Sequence, residues 1–124
     1  MIHSSRRTIG IERLRDGARV AVSDEVAVED PLEIRIAHAD LGLAPHSVSV
    51  TMRTPGHDEE LALGYLYAEG VIDSAAQVDG VRACSGNPRA LRVDLVGAPP
   101  RLQRLQRAGA LSSSCGACGK TSLE

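Results

Sequence analysis

The 124-residue sequence contains no phenylalanine and no tryptophan, and its only aromatic residues are Tyr65 and Tyr67. The side-chain platforms on which unpaired bases stack are therefore missing, which argues against single-stranded nucleic acid as a partner. No stretch approaches the ~20 apolar residues of a membrane-spanning helix. Arg6-Arg7 has the look of an export signal, but the polar run from Thr8 to Asp16 that follows lacks its apolar region. The three cysteines are too few for a disulfide framework, and an odd count suits a reducing compartment, so a cytoplasmic protein is expected.

A chain of this length is expected to form one main folded unit, burying about two thirds of the surface its unfolded form exposes. Hydrophobic residues make up 43% of it. With so few aromatics, the core falls to Val, Leu, Ile and Ala. The net charge of −2 conceals an asymmetry. Up to Asp79 there are 7 Lys+Arg against 14 Asp+Glu, and from Gly80 onward 7 against 2, giving −7 and +5. The basic part either attracts an anionic partner, a phosphate-bearing small molecule being the natural candidate, or is simply a solvated face.

Residues 1–19 are set apart as a polar N-terminal tail, with a loose first strand as the other reading. Residues 20–110 carry the pattern of a folded lobe. Arg19 to Val22 and Glu25 to Val28 alternate like half-buried strands, with a turn expected at Ser23-Asp24. Leu32 to Ile36 and Ser47 to Met52 alternate with a period of two, as antiparallel strands with one wet face do. At Arg53 the pattern changes. Thr54 or Asp58 can cap a helix, Pro55 suits a first turn, and Asp58, Glu59 and Glu60 favour the positive end of a helix dipole.

Leu61 to Ala68 is apolar nearly all round, which predicts a central buried helix ended by Gly70. Leu61, Tyr65 and Ala68 are the expected sheet-facing stripe. Gly64 costs about 1 kcal/mol relative to Ala within a helix, so a close contact is expected there. Strands are predicted for Gln77 to Cys84 and Ala90 to Val96, joined by a turn at Gly86-Asn87-Pro88. Beyond Pro99-Pro100, Arg101, Arg104 and Arg107 recur beside Leu102 and Leu105, as in a short amphipathic helix stopped by Gly109. The order gives an α+β fold, a mostly antiparallel β-grasp-like roll around one buried helix, ending in an exposed C-x-x-C loop over residues 111–124.

That loop, Ser114-Cys115-Gly116-Ala117-Cys118-Gly119-Lys120, fills the gaps around two thiols with glycine and alanine, so neither sulfur is readily buried. A C-x-x-C pair lowers the pKa of one thiol, and Lys120 adds positive charge. Several chemistries remain open from the residues alone. Structural zinc needs four ligands, and Cys84 with one of His38, His46 or His57 would have to complete the site. A thioredoxin-like redox pair normally lies between a strand and a helix, whereas this one follows a basic segment. His57 reads as a general base, as an anion contact at a helix start, or as a plain surface residue. Cys84, at the end of a strand, reads as a quiet, partly buried thiol.

The run Val50-Thr51-Met52-Arg53-Thr54-Pro55-Gly56-His57-Asp58-Glu59-Glu60-Leu61-Ala62-Leu63-Gly64-Tyr65-Leu66-Tyr67-Ala68-Glu69-Gly70-Val71-Ile72, followed by the Ser114 to Lys120 loop, resembles the formate dehydrogenase accessory sulfurtransferase (sulfur carrier) family. The run from Glu29 to Ile34 is similar to that family's entry strand. The resemblance implies a sulfurtransferase that accepts sulfur from a cysteine desulfurase as a cysteine persulfide. It implies delivery to the molybdenum cofactor, a bis-guanine-dinucleotide pterin, of formate dehydrogenase, as a transient acceptor rather than a tightly bound group. By that pattern Cys115 carries the persulfide and Cys118 is an auxiliary or resolving thiol. Because only two cysteines stand at ligand spacing, no metal is expected in the site. Family members continue into a second lobe that is absent here, so an inactive docking lobe stands as one alternative, beside the zinc-stabilised module that the cysteine spacing leaves open. The oligomeric state is open, a homodimer being one option.

Overall fold

The computed structural model describes residues 4–42 and 44–103. Two sheets are present among them. The first is a long hairpin, β1 (Arg6–Arg15) against β2 (Ala18–Ala27), joined by Asp16-Gly17. Both turn residues have positive φ, 51° and 79°. This is the Asp-Gly pattern whose twist matches that of flanking strands. Within the segment read as a tail or loose first strand, Arg6–Arg15 thus pairs along its whole length with Ala18–Ala27. The turn expected at Ser23-Asp24 does not form, because both residues continue β2 opposite Gly10 and Ile9.

The second sheet has the order β4-β3-β6-β5, built from β3 (Asp30–Ala37), β4 (His46–Arg53), β5 (Val78–Cys84) and β6 (Asn87–Leu95). Two antiparallel hairpins, β3/β4 and β5/β6, meet along a parallel central pairing of β3 with β6. The helix α1 (Asp58–Ala68) connects them. Pro31 is compatible with a central strand because β6 begins pairing only at Glu33. The turn between β5 and β6 is Ser85-Gly86, with Gly86 at φ 75°, and Asn87 and Pro88 already belong to β6. The mixed α+β class and the predominance of antiparallel pairing agree with the sequence pattern.

The core lies between α1 and one sheet face, where Leu32, Ile34, Ile36, Leu66, Val71 and Val93 are almost fully buried. The helix buries Ala62 and Leu66, with Leu63 and Tyr65 packed beside them. The expected stripe of Leu61, Tyr65 and Ala68 is therefore out of phase. Leu61 and Ala68 are exposed, and only one side of the helix is covered. Gly70 does end α1 as expected. Its φ is 71°, its N–H donates to Tyr67 O at 3.0 Å, and Val71 N–H donates to Leu66 O at 2.9 Å, the paired bonds of a Schellman cap. Among the described residues no helix is long and apolar enough to cross a membrane.

Candidate functional site

The chemically richest place among the described residues is the head of α1. Strand β4 ends at Arg53, and a four-residue turn, Thr54 to His57, leads into the helix. Gly56 has φ 123° and His57 φ 36°, ψ 32°, so two successive left-handed residues throw the chain from strand to helix. A residue with a side chain costs energy in that region, which glycine avoids and histidine tolerates better than β-branched residues do.

What holds this turn is an ionic clamp. Arg53 is buried, and its guanidinium donates to Asp58 through Nε–Oδ1 at 3.0 Å and Nη2–Oδ2 at 3.1 Å. Its remaining nitrogen, Nη1, donates to Asp30 O at 3.1 Å and to Asp30 Oδ2 at 3.4 Å. Arg89 closes the cluster on Asp30, with Nη2–Oδ1 at 2.9 Å and Nε–Oδ2 at 3.1 Å. The planar fork of arginine suits such two-pronged carboxylate pairing. Burial pushes the Asp30 carboxyl up, but Arg89 and Arg53 outweigh it and hold the group below the usual carboxylate range.

This clamp answers the capping question in a way the sequence reading missed. Asp58 is the first helical residue and its carboxylate is spent on Arg53, while the cap position is His57, which makes no side-chain cap bond. A signal was present: Asp30 and Arg53 stand at the ends of two alternating runs and become register partners when those runs pair.

The clamp leaves His57 outside, its side chain 92% exposed, with Nδ1 3.4 Å from Glu60 Oε1. A hydrogen bond from its own backbone N–H, and then His57, hold Glu60 below its ordinary pKa. An open depression of about 500 Å³ lies here, lined by Gly56, His57, Asp58, Glu59, Glu60 and Ala83 among others. With three carboxylates on its wall, this depression favours a cation or a hydrogen-bond donor over a phosphate, and His57 faces an acidic neighbour rather than an anion pocket.

The other singled-out residues are dispersed. His38 is buried and satisfied, with Nε2 3.1 Å from Gly97 O and Nδ1 accepting from Asp40 N–H at 3.1 Å. His46 Nε2 lies 3.0 Å from Leu41 O. Cys84 is half-buried, and its Sγ accepts from Arg35 Nη1 at 3.9 Å. Arg35 is fixed in turn by Glu33, through Nε–Oε1 at 2.9 Å and Nη2–Oε2 at 3.1 Å. No group of three metal-ligating side chains forms among the described residues.

Cys115 and Cys118 lie outside the described residues, as do Arg104, Arg107, Lys120 and all of the predicted amphipathic helix beyond Gln103, with its Gly109 stop. The last described residues lie beside the C-terminal end of α1. There Arg101 N–H donates to Val71 O at 3.1 Å, Arg101 pairs with Asp73 at 2.9 Å, and Leu102 packs against the core.

A mixed sheet covered on one face by a single helix, with an arginine–aspartate clamp at the helix head, defines the class as an α+β module. The FdhD/NarQ family matches residues 27–124, and the chain belongs to that family. It is 43% identical over 113 residues to the sulfur carrier protein FdhD of Corynebacterium efficiens, covering 82% of this chain and 38% of the relative. With the FdhD of Mycolicibacterium paratuberculosis it shares 39% over 129 residues, 98% of this chain and 44% of the relative. The FdhD of Sulfurisphaera tokodaii shares 33% over 117 residues, 94% of this chain and 42% of the relative.

Among solved structures, a formate dehydrogenase accessory protein from Desulfotalea psychrophila superposes with a TM-score of 0.58 at 22% identity. The superposition covers 74% of this chain and 38% of that one. It speaks to the fold. The chain thus spans about two fifths of the length of the curated relatives it matches.

Proposed function

We propose that this chain carries the sulfur-accepting part of a formate dehydrogenase accessory sulfurtransferase, with Cys115 as the persulfide carrier and Cys118 as the resolving thiol. The observation that carries the reading is the family match, whose span of 27–124 includes the helix-head motif and both cysteines together. The names of the relatives support sulfur carriage, and that of the structural neighbour supports a formate dehydrogenase as the eventual client.

The chemistry balances with the two thiols. The Cys115 thiolate attacks the outer sulfur of a persulfide on a cysteine desulfurase. The new S–S bond forms on Cys115 as the desulfurase cysteine leaves as a thiolate. For delivery as sulfide to the molybdenum cofactor, the outer sulfur must gain two electrons. Attack of the Cys118 thiolate on the inner sulfur of the Cys115 persulfide supplies them, releasing hydrosulfide to the acceptor and leaving a Cys115–Cys118 disulfide. A cellular thiol reductant then restores both thiols. The molybdenum cofactor is a substrate in this scheme, and the cytoplasm, where cellular thiols keep cysteines reduced, is the compartment that suits it.

The test is the intact mass of the protein after incubation with a cysteine desulfurase and cysteine. One added sulfur atom, removable by a reducing agent, is expected on the wild type and on Cys118→Ser. No gain is expected on Cys115→Ser. A persulfide that persists on Cys115→Ser would overturn the assignment.

A further inference from the structure

We propose that His57 is the general base of sulfur acceptance: its Nε2 takes the Cys115 thiol proton while Glu60 orients the ring, which brings the C-x-x-C segment to the head of α1. The inference rests on the reading of Cys115 as the sulfur acceptor and adds the group that activates it.

The first observation is an imidazole–carboxylate pair without a nucleophile. His57 Nδ1 lies 3.4 Å from Glu60 Oε1. Glu60 is held below its ordinary pKa, so it stands as a carboxylate that accepts from Nδ1–H. That bond keeps the proton on Nδ1 and the lone pair on Nε2. Nε2 has no partner among the described residues, and the ring borders the open depression of about 500 Å³. Asp58 is nearer in sequence, but Arg53 holds both of its oxygens and leaves Glu60 as the partner of His57. A base oriented by a carboxylate is two members of a nucleophile–base–orienter triad.

The second observation is the backbone that carries the ring. His57 is fixed at φ 36°, ψ 32°, and Asp16 of the hairpin turn is the other non-glycine residue with positive φ among the described ones. Glycine holds that conformation at less cost, so a side chain stands here against the backbone preference. The imidazole makes no cap bond to α1 and is 92% exposed, so neither capping nor packing accounts for it.

The third observation is reach and charge. The described chain ends at Gln103, beside the C-terminal end of α1, where Arg101 N–H donates to Val71 O. From there to the helix head is about 16 Å, the length of an eleven-residue helix. Twelve residues lead from Gln103 to Cys115, a reach of up to about 40 Å. Residues 104–124 carry Arg104, Arg107 and Lys120 against the single acid Glu124, and the wall of the depression carries Glu59 and Glu60. Opposite charges favour the encounter, and a thiol S–H is a hydrogen-bond donor of the kind an acidic depression accepts.

The proton balances. Nε2 takes it from Cys115 as the sulfur attacks the outer sulfur of the desulfurase persulfide. The S–S bond on the desulfurase breaks, and the departing desulfurase thiolate takes the proton back from His57. A free cysteine with a pKa of about 8.5 is about 3% thiolate at pH 7, so a base placed here can raise the reactive fraction by up to about 30-fold.

The test has two arms on the full chain. In the first, alkylation of Cys115 by iodoacetamide at pH 7 is timed by peptide mass mapping. His57→Gln should slow it about tenfold and Glu60→Gln less, while alkylation of Cys84 in the same molecules stays unchanged. In the second, His57→Cys in a Cys84→Ser/Cys118→Ser background is mildly oxidised, and a disulfide between position 57 and Cys115 is expected. Gly64→Cys in that background is the control, about 10 Å along the same helix face. The close contact expected at Gly64 is not made, and a Cβ built there meets nothing within 4 Å, so a thiol fits. Its disulfide with Cys115 should form at least about tenfold more slowly. Unchanged alkylation of Cys115 in His57→Gln, or disulfides formed at equal rates from positions 57 and 64, would overturn the proposal. Neither arm uses a desulfurase, so such a failure leaves the carrier reading standing, whereas a wild type that takes no sulfur on Cys115 removes that reading and this one with it.

Discussion

Arg53 holds Asp58 with two parallel bonds, 3.0 and 3.1 Å long, across the turn that joins β4 to α1. Only 5% of the Arg53 side chain is exposed, so its charge depends on Asp58 and Asp30 for compensation. Removing one member of a buried pair leaves the other uncompensated, and the loss exceeds what the pair contributes over an apolar replacement. Asp58→Asn should therefore destabilise the fold by on the order of 3 kcal/mol, read from the midpoint of urea unfolding. An unchanged midpoint would show that the clamp is decorative.

The same cluster sets an acid limit on stability. Asp30 has a folded pKa below its unfolded value. Its contribution is therefore fully present above the unfolded carboxylate value of about 4 and is lost as pH falls through the folded value. Acid titration of the melting temperature should show a steeper fall below about pH 4 in the wild type than in Asp30→Asn, which lacks the titrating group. Parallel curves would remove Asp30 from the account.

Within α1, the observed phase of the buried face separates two leucines. Leu66→Ala should cost about 2–5 kcal/mol, as deletions from a closed core do. Leu61→Ala, at an exposed site, should change stability by less than about 1 kcal/mol. Equal losses at the two positions would put both leucines in the core.

Gly64→Ala should raise the stability of the isolated chain by about 1 kcal/mol, because the helix gains propensity and the new methyl meets open space. A lower melting temperature would mean that a neighbour already fills that space.

The strands were legible where alternation was strict, as in Leu32 to Ile36 and Leu91 to Leu95, because a period of two needs only one buried face to become visible. The parallel pairing of β3 with β6 was not, since nothing in either strand names its partner across a helix and 50 or so residues of chain. The first hairpin was misread because Ser23-Asp24 and Asp16-Gly17 both look like turns. Only the second offers the two positive φ values that a tight hairpin needs. In α1, apolar residues on nearly every side left the phase undetermined, and packing of Ala62 and Leu66 decided it. The helix-head run stood out in the sequence by its local pattern. Arg53 and Asp30 did not, because a clamp between distant strand ends has no local pattern.

The central claim is that Cys115 accepts sulfur. It is tested most directly by incubating the wild-type chain, Cys115→Ser and Cys118→Ser with a cysteine desulfurase and cysteine, and locating any added sulfur by peptide mass mapping. A reductant-labile persulfide is expected on Cys115 in the wild type and in Cys118→Ser, and none in Cys115→Ser. Sulfur found on Cys118 or Cys84 while Cys115 stays unmodified would contradict it.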